Sequence, residues 1–179
     1  MDWFDWEPVL KKVVVEEMRK APEVSKEHGL DHVERVWSGC LKLGMKLNAD
    51  LEVLVAAAYL HDLGRHYGLD LHGEKSAQLG EPILLRIKFP KEKIKKVLDA
   101  ISLHDHQVKP EKRRLIETQI LYDADKLDAF GAIGVERWVL HRHSMGYSIE
   151  EVLSRIQQRY DGLHLRETKN WRKNAVDTS

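Results

Sequence analysis

A chain of 179 residues that is 42% apolar and 32% charged fits one globular domain and excludes a disordered, collagenous or mucin-like chain. Lysine plus arginine equals aspartate plus glutamate at 29 each, so no global field draws nucleic acid or an anionic membrane to the whole surface, and any anionic ligand must be held locally. The longest apolar stretch, Val53 to Leu60, is far short of the roughly 20 residues of a membrane span. The single Cys40 forms no internal disulfide, and Met1 to Trp6 carries two acids and no base and so does not read as a signal peptide. A reducing cytosol is the expected compartment.

Apolar residues return every three or four positions in segment after segment, the spacing of one face of an α-helix. The expected fold is therefore all-α, a single domain over residues 1–179, with no Pro/Gly/Ser linker, internal repeat or low-complexity run dividing it. A first helix starts near Asp5, with Pro8 in its opening turn, and ends before Pro22. The second spans about Leu30 to Leu47, with Val33, Val36, Cys40, Leu43 and Leu47 inward. Asn48 and Asp50 cap a third from Leu51 to about Leu63, whose near-continuous apolar run marks a helix buried on most sides, and Gly64 ends it. Glu74 to Ile87 follows, with a kink expected at Pro82. Pro90 opens the next helix, Glu92 to His104, and a polar loop with Pro110 follows. Leu115 to Leu127 and then Asp128 to Met145 read as further helices, the latter weakened by Gly131 and Gly134. Ser148 and Glu151 form a capping box for a helix through Tyr160, and a last polar helix follows Gly162.

Ten histidines is a high count for this length. The pair His61-Asp62 closes the most apolar helix, where an imidazole and a carboxylate side by side are costly to bury without partners or a metal. Neutral imidazole and carboxylate oxygen together make a borderline donor set suited to Mn, Fe, Co, Ni or Zn and less to Ca. Taken alone, the same pair also fits a helix C-terminus, where His favours the dipole and Asp caps a turn. The chain has no Gly-rich phosphate loop, HExxH or CxxC, and Cys40 on an inward face reads as a small core residue. Trp3, Trp6, Trp37, Trp138 and Trp171 are scattered and read as core or interface anchors rather than a base-stacking platform.

Three stretches of the chain combine into a specific pattern. His32 stands in His28-Gly29-Leu30-Asp31-His32-Val33-Glu34-Arg35, the His-Asp pair in Ala58-Tyr59-Leu60-His61-Asp62-Leu63-Gly64-Arg65, and Asp125 in Asp123-Ala124-Asp125-Lys126-Leu127-Asp128-Ala129. This order resembles the HD superfamily of metal-dependent phosphohydrolases, whose helical bundle brings H…HD…D onto one cation. The resemblance covers about residues 29–137, leaving C-terminal helices over 138–174. It is nearest to the small single-domain hydrolases, because His72-Gly73-Glu74-Lys75-Ser76-Ala77, Ala100-Ile101-Ser102-Leu103-His104 and the run from Asp125 through Gly134 to Arg137 also match their pattern. By that resemblance His32, His61, Asp62 and Asp125 are the metal ligands. It also implies that Glu74 is a general base or orients water, that His72 acts as an acid, and that Arg65 and Lys126 hold a substrate phosphate, with Arg137 a further candidate. His104 stands either as a second-metal or substrate ligand or, beside Asp105 and His106, as a surface cap. His28, His141 and His143 are left as structural or surface groups.

The expectation is a phosphohydrolase that needs a divalent cation (Mn, Fe, Co, Ni, Mg or Zn). Its substrate is a small phosphorylated metabolite, most plausibly a nucleotide, from which phosphate or pyrophosphate is released, and neither membrane nor nucleic acid is an expected partner. The alternative is a metal- or nucleotide-binding regulatory module that keeps the scaffold without turnover.

Overall fold

The computed structural model describes residues 2–20, 29–67, 72–105, 107–128, 139 and 146–170. These form helices and turns with no strand among the described residues, in agreement with the all-α expectation. In chain order the helices are α1 (Trp3–Lys20), α2 (Leu30–Leu47), α3 (Leu51–Leu60), α4 (His72–Arg86), α5 (Lys91–Ser102), α6 (Ile116–Asp128) and α7 (Ile149–Asp161), and residues 166–170 are also helical. Short 3₁₀ turns occupy Leu63–Tyr67 and Pro110–Lys112. The expected helix from Asp128 to Met145 falls outside the described residues apart from Asp128, which ends α6, and Val139; His28, His106, Gly131, Gly134, Arg137, His141, His143, Trp138 and Trp171 lie outside them too.

The fold is organised around α3. Every residue from Val53 to Leu60 is buried, and α3 packs against α1, α2, α4, α5 and α6. A helix apolar all round belongs at the centre of a bundle, and burying side chains such as Val53, Leu54 and Leu60 contributes roughly 1.5–3 kcal/mol each. The more amphipathic helices surround it. α1 turns Trp6, Leu10, Val13, Val14 and Met18 inward, with Trp6 against Phe89 at 4.9 Å between ring centroids. On α2 the inward residues are Val33, Val36, Trp37, Cys40 and Leu43, as the spacing predicts, and burial pushes the Cys40 thiol up, which suits an inert core residue.

Several helix ends differ from the sequence expectation. α1 begins at Trp3 because Asp2 and Asp5 cap it, Asp2 N–H donating to Asp5 Oδ2 (2.9 Å) and Trp3 N–H to Asp2 Oδ1 (2.7 Å). Pro8 thus lies in the second turn. Asn48 caps the end of α2 in the left-handed conformation (φ 52°) instead of opening α3, a place that suits asparagine. Asp50 alone opens α3, its Oδ1 accepting from Glu52 N–H (3.1 Å) and Val53 N–H (3.3 Å).

The end of α3 comes at Leu60, three residues earlier than expected. Gly64 N–H donates to Ser76 Oγ on α4 (2.9 Å) and Arg65 N–H turns back to the Asp62 carbonyl (3.0 Å), which tightens the chain into a 3₁₀ turn. α7 opens on the expected capping box of Ser148 and Glu151. Beyond it Leu163 and Leu165 are buried, and Asp123 of α6 fastens this C-terminal segment by accepting from His164 N–H (2.9 Å), Leu165 N–H (2.8 Å) and Thr168 Oγ1 (2.7 Å).

Replacing Asp50 with Ala removes the cap of the central helix and is expected to cost about 1 kcal/mol, whereas Asp50→Asn should retain most of the stability. Urea unfolding of the two variants checks this, and equal midpoints for Asp50→Ala and the unmodified chain would contradict the capping role.

Candidate metal centre

Because α3 is buried throughout, the residues that follow it emerge inside the bundle: His61 has no exposed surface and Asp62 is 2% exposed. Neighbouring helix ends bring three more histidines to the same point. His32 comes from the first turn of α2, His72 is the first residue of α4, and His104 lies two residues beyond α5. The Asp62 carboxylate sits between two imidazole pairs. Its Oδ2 is 3.4 Å from His32 Nε2 and 3.5 Å from His61 Nε2, while its Oδ1 is 2.9 Å from His72 Nε2 and 3.9 Å from His104 Nε2. Asp125, in the last turn of α6, completes the first side with its Oδ1 3.4 Å from His32 Nε2.

All four imidazoles present Nε2 to Asp62, because each Nδ1 faces an acceptor of the chain. His61 Nδ1 bonds to the Ala58 carbonyl (2.7 Å) and His104 Nδ1 to that of Ile101 (2.6 Å). A carbonyl there requires the proton on Nδ1 and leaves the lone pair on Nε2, the form in which imidazole binds a metal. For the other two rings the acceptor is a carboxylate: Asp128 Oδ2 lies 2.9 Å from His32 Nδ1, and Asp105 Oδ1 3.0 Å from His72 Nδ1. Both carboxylates are themselves anchored. Asp128 receives Arg35, and Asp105 Oδ2 accepts the Gly73 N–H at the start of α4 (2.7 Å).

Burial and neighbouring charges divide these groups. Burial pushes the His61 imidazole down, and burial together with the adjacent His61 and His72 takes His104 to about 3, so both are neutral. Burial also opposes charge on His32 and His72, but the surrounding carboxylates outweigh it: Asp125, Asp128 and Asp62 hold His32 well above the usual imidazole range, and Asp105 and Asp62 raise His72 to about 9. Despite burial, Lys126 and the histidines hold the Asp125 carboxyl well below its ordinary value. Each side of Asp62 therefore carries one imidazolium and one neutral imidazole in the protein alone, positive charge that a bound cation would replace.

The expected metal ligands His32, His61, Asp62 and Asp125 thus meet at one point. His72 and His104 join them there, and the surface-cap alternative for His104 is overturned because it has no exposed surface. Arg65 Nε donates to Asp62 Oδ1 (3.0 Å) and Lys126 Nζ to Asp125 Oδ2 (2.5 Å), so both expected phosphate-binding cations touch a carboxylate expected to bind metal. Glu74, two residues into α4 from His72, is exposed and has no hydrogen bond or ion pair to the cluster among the described residues. Asp128 and Asp105 were not singled out from the sequence. Asp128 carried a signal, since it stands three residues after Asp125 on one helix and shares its face.

The donor set fits a divalent cation. His61 Nε2 is buried with no hydrogen-bond partner, an arrangement that is costly unless something binds the lone pair. Two overlapping sets of ligand atoms are close enough together to hold an ion, His32 with His61 and Asp62, and Asp62 with His72 and His104. Imidazole nitrogen with carboxylate oxygen selects first-row transition metals over calcium.

An all-helical bundle with a buried His/Asp cluster at the end of its central helix defines a metal-binding helical domain. The chain belongs to the HD domain family, whose model matches residues 29–129. Solved structures with the same fold include a predicted HD superfamily hydrolase from an uncultured Thermotogales bacterium, 22% identical over 96% of this chain and 92% of that one, with a TM-score of 0.61. Bacillus subtilis YpgQ in complex with ADP is 20% identical over 97% of this chain and 89% of that one, with a TM-score of 0.73. An HD-superfamily hydrolase from Bacillus thuringiensis is 20% identical over 94% and 87%, with a TM-score of 0.73. No curated protein matches the chain. No helix among the described residues is long and apolar enough to cross a membrane.

The site also depends on backbone approaches too close for a side chain. A Cβ on Gly73 would fall 2.9 Å from both Asp105 Oδ2 and the Ile101 carbonyl, whereas one on Gly80 of the same helix would meet only Leu60 and Ile101 side chains at 3.5 Å or more. Gly73→Ala is expected to cost roughly 1–3 kcal/mol from overpacking. Gly80→Ala should be neutral or gain up to about 1 kcal/mol from helix propensity. Thermal unfolding checks the pair, and destabilisation of the same size in both would contradict the close approach at Gly73.

Proposed function

We propose that this chain is a divalent-metal-dependent phosphohydrolase acting on a small phosphorylated metabolite, most plausibly a nucleotide. The observation that carries the reading is the Asp62 carboxylate buried between two imidazole pairs, with cations bonded to both ligand carboxylates. Nucleotide as the substrate class is supported by the likeness to YpgQ, a structure solved in complex with ADP.

His32, His61, Asp62 and Asp125 would hold the cation, which when bound polarises a phosphoryl oxygen and acidifies water. The chain's own groups do the rest. Arg65 is the more accessible of the two cations, its side chain 27% exposed, and it offers paired donors to a phosphate while its Nε stays on Asp62. Lys126 is buried and offsets Asp125, which limits it to the inner edge of such a site. His72 holds a proton 2.9 Å from Asp62 and suits donation to a leaving oxygen. Its closeness to His104, 2.9 Å between the two Nε2 atoms, favours a second reading in which Asp62, His72 and His104 would hold a second cation. Two cations suit in-line displacement at phosphorus.

The test is release of phosphate and of pyrophosphate from a panel of nucleotides with Mn, Co, Ni, Mg and Zn. Turnover that disappears in Asp62→Ala is the expected outcome, and the released product separates phosphomonoester cleavage from pyrophosphohydrolysis. Nucleotide binding without turnover under every metal would replace the enzyme with a regulatory module.

Glu74 keeps its proposed role in activating or orienting water only on kinetic proof, since its exposed place in the first turn of α4 is also one that the helix dipole favours. In a catalytic role Glu74→Gln lowers kcat about a hundredfold or more with metal content unchanged. In a dipole role it loses only about 0.3–1 kcal/mol of stability. Measuring kcat and thermal unfolding on one metal-loaded preparation decides between them, and an unchanged kcat removes Glu74 from the mechanism.

A further inference from the structure

Arg113 is a buried cation that the proposed chemistry does not use. It follows the Pro110–Lys112 turn, is 2% exposed, and no carboxylate of the described residues lies within ion-pairing distance. A guanidinium in such a place is expensive unless its donors are satisfied in a fixed geometry.

Two of its donors go to the carbonyls of the residues on either side of His104, Leu103 and Asp105. Arg113 Nε donates to the Leu103 carbonyl (2.9 Å) and Nη2 to the Asp105 carbonyl (2.5 Å). Its Nη1 lies 3.3 Å from His164 Nε2, and the guanidinium rests 4.0 Å from the centroid of the Tyr122 ring on α6. The turn at residues 103–105 has left α5, so these carbonyls lack helical donors; that of Asp105 accepts the Val108 N–H (3.0 Å), and Arg113 adds a donor to each. The chain continues inward from there: His104 presents Nε2 to His72, and the Asp105 carboxylate receives Gly73 N–H and faces His72 Nδ1. Both imidazoles on the Oδ1 side of Asp62 are therefore set by one turn, and Arg113 is the side chain that ties its two ends together. On the Oδ2 side, His32 is backed by Asp128 and His61 by Ala58, and neither is in contact with Arg113.

We propose that Arg113 is a positioning residue that shapes the half of the site formed by His72 and His104, so that removing its paired donors weakens the second cation while leaving the first in place. This rests on the two-cation reading above. The bidentate grip matters more than the charge, because a lysine ammonium is a point donor that cannot reproduce the planar fork on two carbonyls.

The experiment is titration of Mn²⁺ into the metal-free full chain by calorimetry, with metal content counted after dialysis, for the unmodified protein, Arg113→Met and Arg113→Lys. The unmodified protein should take two equivalents. In both variants the first equivalent should bind as before, and the second should weaken by roughly ten- to hundredfold, the usual effect of losing an outer-shell partner. Should Arg113→Met fail to fold, Arg113→Lys, which keeps the stem and the charge, decides alone. Two equivalents with unchanged affinities in the variants would overturn the inference and leave the two-cation reading standing. Equal weakening of both equivalents in a folded variant would overturn it as well, since Arg113 would then support the whole site. A single equivalent in the unmodified protein would instead remove the two-cation reading and this inference with it.

Discussion

Accommodating the Asp62 carboxylate inside the most apolar part of the bundle is the constraint on which the rest of the site depends. A helix as apolar as α3 can only lie at the centre, so the residues that follow it are buried whatever their chemistry. An isolated carboxylate there would cost several kcal/mol or lose its charge. It is surrounded instead by His32, His72 and Arg65, and those cations bring a second ring of groups, Asp128 with Arg35 behind His32 and Asp105 behind His72. Burial of α3 thus leads outward to a network that reaches the surface at Arg35 and Arg65.

Each contributor to the site sits at or beside a helix end: the starts of α2 and α4, the last turn of α6, and the residues just past α3 and α5. Helix ends leave backbone groups unsatisfied, and here those groups hold the site's side chains or are held by them. The carbonyls of Ala58 and Ile101 orient His61 and His104, Gly73 N–H anchors Asp105, and Gly64 N–H bonds to Ser76. Since no helix carries more than one of His32, His61, Asp62, His72, His104 and Asp125, the geometry exists only in the folded bundle, and any cation held there would be linked to folding.

Much of this was legible in the sequence. The bounds of α2, the capping box at Ser148 and the burial of α3 follow from spacing, and the convergence of His32, His61, Asp62 and Asp125 follows from the family resemblance. What sequence reading missed has a common cause, namely partners supplied from distant segments. α4 includes His72 and Gly73 ahead of Glu74, with the Gly73 N–H held by Asp105 32 residues away, and α3 stops early because Gly64 is drawn to Ser76. His104 stood open between ligand and surface cap because nothing local in the sequence shows that Arg113 bonds to the carbonyls on either side of it. Neither Asp105 nor Asp128 could be assigned its role without knowing which imidazole stands opposite it.

Diffraction from crystals of the Mn-loaded protein, recorded on either side of the manganese absorption edge, tests the central claim most directly. The account predicts anomalous density within coordination distance of Asp62, in the space shared with His32, His61 and Asp125. Manganese bound only at surface carboxylates, with no anomalous density beside Asp62, would contradict it.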